Sequence, residues 1–210
     1  MKRITILMSA LLLAALTISA KTVKVTIDGT LSSYISKLYL IVDEDTANAQ
    51  FVPIKEGKFS VTVKVDRNSF IRLYENKKWP ERAFFVLIPD SKHITVNQPA
   101  GTIEGSPLSS ELKMTLDMIN REGPGNFHID VFSQDKEAWA QARAQERQIR
   151  SRMEESQKQL IRRMIEVNSN NNIPAWIALC FKNLFPGGID EMAQGKSAKW
   201  RNHPVLKGKQ

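Results

Sequence analysis

Cysteine and histidine offer the most chemistry near neutral pH, and this chain holds one cysteine, Cys180, and three histidines, His93, His128 and His203. A single cysteine closes no internal disulfide, so it is either a reactive thiol, a site for a mixed disulfide, or a small buried hydrophobe. Its setting, Ala175-Trp176-Ile177-Ala178-Leu179-Cys180-Phe181, is apolar throughout. That setting predicts the buried, inert thiol. The histidines stand far apart, none with a second histidine four residues away or a cysteine pair nearby. A zinc site needs three or four converging ligands, so no metal ligand is expected. Asp43-Glu44-Asp45 places three acids in a row. Calcium loops set their ligands at alternate positions around a glycine bend, so an exposed turn is the better reading of this run.

No Gly-x-Ser-x-Gly, phosphate-cradling glycine loop or Cys-x-x-Cys occurs. The expectation is a chain without a catalytic residue, a cofactor-binding residue or a cofactor, and not an enzyme. The remaining concentration of charge is Arg143, Arg147, Arg150, Arg152, Lys158, Arg162 and Arg163. Glu137, Glu146, Glu154, Glu155 and Glu166 interleave with it, with Glu146–Arg150 and Glu154–Lys158 four apart and Glu155–Arg162 one turn further on. Such mixed spacing describes a solvated helix face. No aromatic stacking motif accompanies it, so nucleic acid is not an expected partner.

The elements that would position these residues divide the chain in two. From Lys21 to Gly105, short β-rich runs alternate with turns. Val23, Val25 and Ile27 alternate with Lys24 and Thr26, and Leu38–Val42 ends at the acidic turn. Phe51–Ile54 and Phe59–Val65 flank Glu56-Gly57-Lys58, a hairpin signal in which Gly57 supplies a positive φ. Pro53 cannot donate to a ladder, which puts its strand at an edge. Phe70–Tyr74, Ala83–Ile88, Ile94–Val96 and Ile103 complete seven or eight strands without intervening helices. This spacing predicts an antiparallel β-sandwich or barrel.

At Ser106-Pro107 the period changes. Ser106 is a good N-cap with Pro107 at the first helical position, and Leu108, Leu112, Leu116 and Ile119 share a face until Gly123-Pro124-Gly125. A long helix is expected from about Gln134 to Val167, capped by Ser133, with an interrupted stripe of Trp139, Ala142, Ile149, Met153, Leu160 and Val167. Its gaps at Glu146, Ser156 and Arg163 argue against a coiled coil, and Ile161, Met164 and Ile165 widen the apolar face at its C-terminal end. Asn168–Asn172 stops it, Pro174 opens a third helix to Leu184, and Pro186-Gly187-Gly188 breaks that one. The fold class expected is α+β: a signal peptide over 1–20, the strand domain over 21–105, a helical segment over 106–188, and a basic tail over 189–210 with room for one short helix before loosely patterned sequence.

Location follows from the start of the chain. Met1-Lys2-Arg3 precedes an apolar run from Ile4 to Ile18, closing on Ile18-Ser19-Ala20. This is the layout of a secretory signal peptide cleaved after Ala20. The run falls short of the ~20 residues a spanning helix needs, so no membrane-spanning helix is expected after cleavage. The residue after Ala20 is Lys21 and not a cysteine, so the expected product is periplasmic or otherwise exported and not a lipoprotein. Of the 210 residues and net charge of +8, the exported part keeps +6. About 190 residues suffice for a core without disulfides. A basic excess spread along a chain implies no particular anionic partner.

The order of parts resembles one family. The residues that carry it are Val25-Thr26-Ile27-Asp28-Gly29, Gly57-Lys58-Phe59-Ser60, Gly105-Ser106-Pro107-Leu108-Ser109 and Asn172-Ile173-Pro174-Ala175-Trp176. They are similar, over roughly Lys21 to Phe185, to the uncharacterised N-terminal domain that precedes the thioredoxin-like domain of Bacteroidetes TlpA-type envelope thiol-disulfide oxidoreductases. In that family a Cys-x-x-Cys pair in the following domain does the exchange chemistry. Here the chain ends at Gln210 and Cys180 matches no catalytic position, so the resemblance carries over no redox residue. The function expected is a non-catalytic exported envelope module that holds a small ligand or an envelope protein partner. The alternative is the scaffold of a thioredoxin-like oxidoreductase lacking its catalytic domain.

Overall fold

A computed structural model of the chain describes residues 22–43, 45–75, 83–193 and 199–207. The expected leader over 1–20, and Glu44 of the acidic run, lie outside the described residues. The described strands form two four-stranded sheets. In the first, β1 (Thr22–Thr30) pairs along its whole length with β4 (Lys58–Asp66), from Thr22 opposite Asp66 to Thr30 opposite Lys58. On its other side β1 meets β7 (His93–Asn97), and β7 meets β8 (Thr102–Glu104). The second sheet runs in the order β3 (Gln50–Val52), β2 (Leu38–Val42), β5 (Ile71–Tyr74), β6 (Phe85–Leu87), each pair antiparallel.

One pairing corrects the all-antiparallel expectation. β1 and β7 run parallel, with Thr26 opposite His93 and Thr30 opposite Asn97. Tight turns enforce antiparallel pairing only between strands they join directly, and the chain between β1 and β7 passes through the whole second sheet, long enough for a parallel return. The hairpin expectation also needs correction. Lys55 and Lys58 exchange both backbone hydrogen bonds across Glu56 (φ 52°) and Gly57 (φ 71°), so the tight turn exists. Its two arms then part into different sheets, because Pro53 has no N–H to continue the ladder. β3 is an edge strand, as Pro53 requires.

Both sheets contribute to one apolar cluster. Val25, Ile27, Val61, Val65, Ile94 and Val96 come from the first, and Leu38, Leu40, Val52, Leu73, Phe85 and Leu87 from the second. At about 1.5–3 kcal/mol for each fully buried aliphatic side chain, this cluster is a large part of what offsets chain entropy.

Helix α1 (Pro107–Glu122) begins at Ser106 as expected and buries Ser109, Leu112, Thr115 and Ile119. Gly105 precedes it at φ +79°, where a Cβ would stand 2.5 Å from the carbonyl oxygen of His93, so that junction admits only glycine without rearrangement. Helix α2 (Lys136–Val167) has 32 residues and is about 48 Å long at 1.5 Å per residue. Its N-cap is Asp135, which accepts from Glu137 N–H, and not Ser133, whose hydroxyl accepts from Asp135 N–H one step earlier. Only Gln157, Ile161 and Ile165 of α2 are buried, so the helix packs at its C-terminal end, while Val167 of the expected stripe is exposed.

Helix α3 (Ile173–Phe181) and the short α4 (Gly188–Met192) follow. The basic tail does hold a short helix, α4, and its described residues are not loose. Ile189, Met192, Trp200, Val205 and Leu206 are buried in a second core with Leu112, Ile119, Ile161, Ile173 and Trp176. Apolar side chains separated by polar ones in short 3-10 turns carry no period for a sequence reading to detect. Phe70 and Ile88 of the strand block belong to this second core, so the two blocks share a packed boundary.

Candidate functional site

The end of α2 is built by asparagines. Asn168 N–H donates to the carbonyls of Met164 and Glu166, and its Nδ2 also donates to Met164 O at 3.1 Å. Asn171 donates to Asn168 Oδ1 at 2.8 Å and accepts from Ile173 N–H at 2.9 Å, closing one helix and opening the next. Short amide side chains that satisfy nearby backbone groups are what makes such a run a helix stop. This turn forms one wall of a cleft of about 1030 Å³. The last turns of α2 supply Arg162, Arg163 and Glu166, and the segment from Lys199 to Pro204 supplies the facing wall.

Each wall is held by polar contacts. Arg162 donates to Glu191 Oε1 at 3.0 Å and lies 5.1 Å from the centre of the Phe185 ring, tying α2 to α4. Glu191 also accepts from Gly187 N–H at 2.9 Å. Arg201 pairs with Asp190. His203 fixes the facing wall: its Nδ1 accepts from Val205 N–H at 3.2 Å, so the ring proton sits on Nε2 and is donated to Asn68 O. The ring packs 5.0 Å from Phe70, and burial pushes its pKa below 6.5 although Asn68 O, Asp43 and Asp66 favour the charged form. With both nitrogens committed, His203 clamps the C-terminal segment to the strand block.

What the cleft presents is donors and amides. Arg162, Arg163 and Lys199 line it against the carboxylate of Glu166, and the side chains of Asn170, Asn171, Asn172 and Asn202 add groups that both donate and accept. Trp200, Met192 and Ile165 give it an apolar floor. Such a surface suits a small polar ligand with acceptor oxygens.

The other residues singled out by type lie elsewhere. His93 sits 3.1 Å from Asp28 on the outer face of the first sheet, and His128 sits 3.0 Å from Glu146 beside α2. Among the described residues, no three His, Cys, Asp or Glu side chains converge as metal ligands. Asp43 and Asp45 serve turns: Asp43 Oδ1 accepts from Phe70 N–H at 2.8 Å, and Asp45 accepts from Asn48. Glu146 and Arg150 do not pair with one another. Glu146 holds His128 and the Ile129 N–H, and Arg150 donates to Phe127 O at 2.8 Å, so both pin the loop before α2.

Cys180 overturns its expectation. It is exposed, on the rim of a second cleft of about 780 Å³ walled by Phe84, Leu116, Trp176 and Leu179 together with Arg72, Lys113 and Asp117. Helix α3 is apolar on every side, so its sequence marks no inner face, and the core claims only Ile173 to Ala178. No protein-family model, curated protein or solved structure matches this chain.

A third polar cluster escaped the sequence reading. Ser106 donates to Asp90 and meets Ser109 Oγ, Ser109 Oγ accepts from Ile88 N–H at 2.8 Å, and Asp90 Oδ2 accepts from Leu108 N–H at 2.8 Å. Serine next to aspartate resembles part of a catalytic group, but Ser106 and Ser109 are 1% and 0% exposed. Their hydroxyls latch α1 onto the strand block. Ser106 was legible as a cap; Asp90, sixteen residues away, carried no local signal.

Proposed function

We propose that this chain is a non-catalytic exported envelope protein that acts as a binding or accessory module, with the cleft at the end of α2 holding a small polar ligand. The two sheets are read as a sandwich closed over the cluster they share, with the helical block as the platform for the cleft. Export is supported by Met1-Lys2-Arg3 and the apolar run to Ile18. The resemblance to the N-terminal domain of Bacteroidetes TlpA-type oxidoreductases agrees with an envelope address. Among the described residues, no helix is long and apolar enough to cross a membrane.

The observation that carries the binding reading is the cleft itself: about 1030 Å³, with Arg162, Arg163 and Lys199 set among asparagine side chains, one carboxylate (Glu166) and an apolar floor. A ligand at a hundredfold its Kd stabilises the folded state by about 2.7 kcal/mol, which raises the melting temperature of a domain this size by roughly 5–10 °C. Thermal scans with glucuronate, citrate and glucose are the test. A rise with an oxyanion that disappears in Arg163→Ala/Lys199→Ala supports the reading, and flat scans for all three count against it. N-terminal sequencing of the protein from the envelope fraction is expected to begin at Lys21.

Cys180 favours the second reading, the scaffold of an oxidoreductase without its catalytic domain, because an exposed thiol on the rim of a cleft with both polar and apolar walls is placed to meet another protein. A specific mixed disulfide trapped in the envelope under mild oxidation, and lost in Cys180→Ser, would select it.

A further inference from the structure

The N-terminal half of α2 does not serve the core. Every buried residue of the helix lies at Gln157 or beyond, so the turns before it form an arm beside the body. On that arm Lys136, Ala140, Arg143 and Arg147 follow one another at intervals of four, three and four, which at 3.6 residues per turn places them in one stripe about 60° wide. All four are exposed, and the small Ala140 leaves the three cations unobstructed. The acids nearby lie off the stripe: Asp135 caps the helix by accepting from Glu137 N–H, Glu137 is about 100° round the helix from Lys136, and Asp130 and Glu146 stand by His128. The stripe runs on to Arg150, which is half-buried against the loop, before Glu154 ends it.

Two aromatic rings accompany these cations at the free end of the arm. Phe132 is 98% exposed, and Trp139 is 38% exposed with its Nε1–H donated to Ser133 O at 2.7 Å. A phenyl ring held wholly in water is costly unless something takes it up, and an indole whose polar edge is already satisfied sits well at a boundary between water and lipid.

We infer that this arm docks on an anionic phospholipid bilayer. Lys136, Arg143 and Arg147 meet the headgroup phosphates, Trp139 lies at headgroup depth, and Phe132 enters the edge of the acyl region. A straight, convex row of cations with an apolar tip matches a flat charged surface. This inference is independent of the cleft and of any ligand there.

The experiment is flotation of the protein, expressed with its own leader and purified as the cell leaves it, with vesicles of phosphatidylcholine alone or with a third phosphatidylglycerol. Binding only to the anionic vesicles, weakened by raising salt, is the expected result. Arg143→Glu/Arg147→Glu is expected to lower that binding by at least about tenfold, and Phe132→Ser to weaken it with the salt dependence unchanged. Circular dichroism checks that each variant keeps its helix content. Equal binding to both vesicle types would overturn the inference, as would no binding by the folded protein. Binding of duplex DNA through the same stripe, with vesicles ignored, would overturn it in favour of a nucleic-acid surface.

Discussion

Ser109 shows how much one hydroxyl can hold. Its oxygen is the acceptor for the N–H of Ile88, and both residues are buried. Ser109→Ala leaves that N–H without its acceptor and is expected to cost about 1–3 kcal/mol, read as a lower urea midpoint at unchanged slope. His203 makes a statement about pH. Its folded-state pKa lies below the ordinary 6.5, so the unfolded chain binds the proton more readily than the folded one. Its contribution is complete above pH 6.5 and is lost as pH falls through 6.5 toward the lower folded value. His203→Asn can still offer an acceptor to Val205 N–H but does not titrate. Urea midpoints are expected to fall between pH 7.5 and 5.5 for both proteins, and to fall less for the variant, which lacks the titrating ring.

Helix α2 behaves as two elements joined end to end. Ile161 is wholly buried in the helical core, whereas Ile149, on the stripe the sequence favoured, is half-buried on the arm. Ile161→Ala is therefore expected to cost about 2–5 kcal/mol and Ile149→Ala about 1 kcal/mol or less, compared by equilibrium denaturation. A stripe spaced by threes and fours says where a helix could bury a face, but the surface that covers it must come from other parts of the chain. At the level of elements the sequence was otherwise a good guide. All eight strands and the three longer helices stand within a few residues of their expected places, because alternation, Ser106-Pro107, Gly57 and the asparagine run are local signals with local causes.

For the molecule as a whole, the last residues matter more than their composition suggests. Trp200, Val205 and Leu206 are 5%, 2% and 0% exposed in the helical core. Removing residues 199–210 opens a gap of several large side chains, more than a margin of about 5–15 kcal/mol tolerates. The shortened chain is expected to lose its cooperative thermal transition, as followed by circular dichroism.

By itself the sequence determined the α+β order of elements, the caps and turns that bound them, and the apolar face at the end of α2. Each of these is set by neighbours within a few residues. Only the tertiary structure decided that β1 and β7 run parallel, that Cys180 faces out, that Asp90 reaches Ser106, and that the tail closes both the core and the cleft. Those outcomes depend on which surfaces meet across long stretches of chain, and no local periodicity encodes that choice.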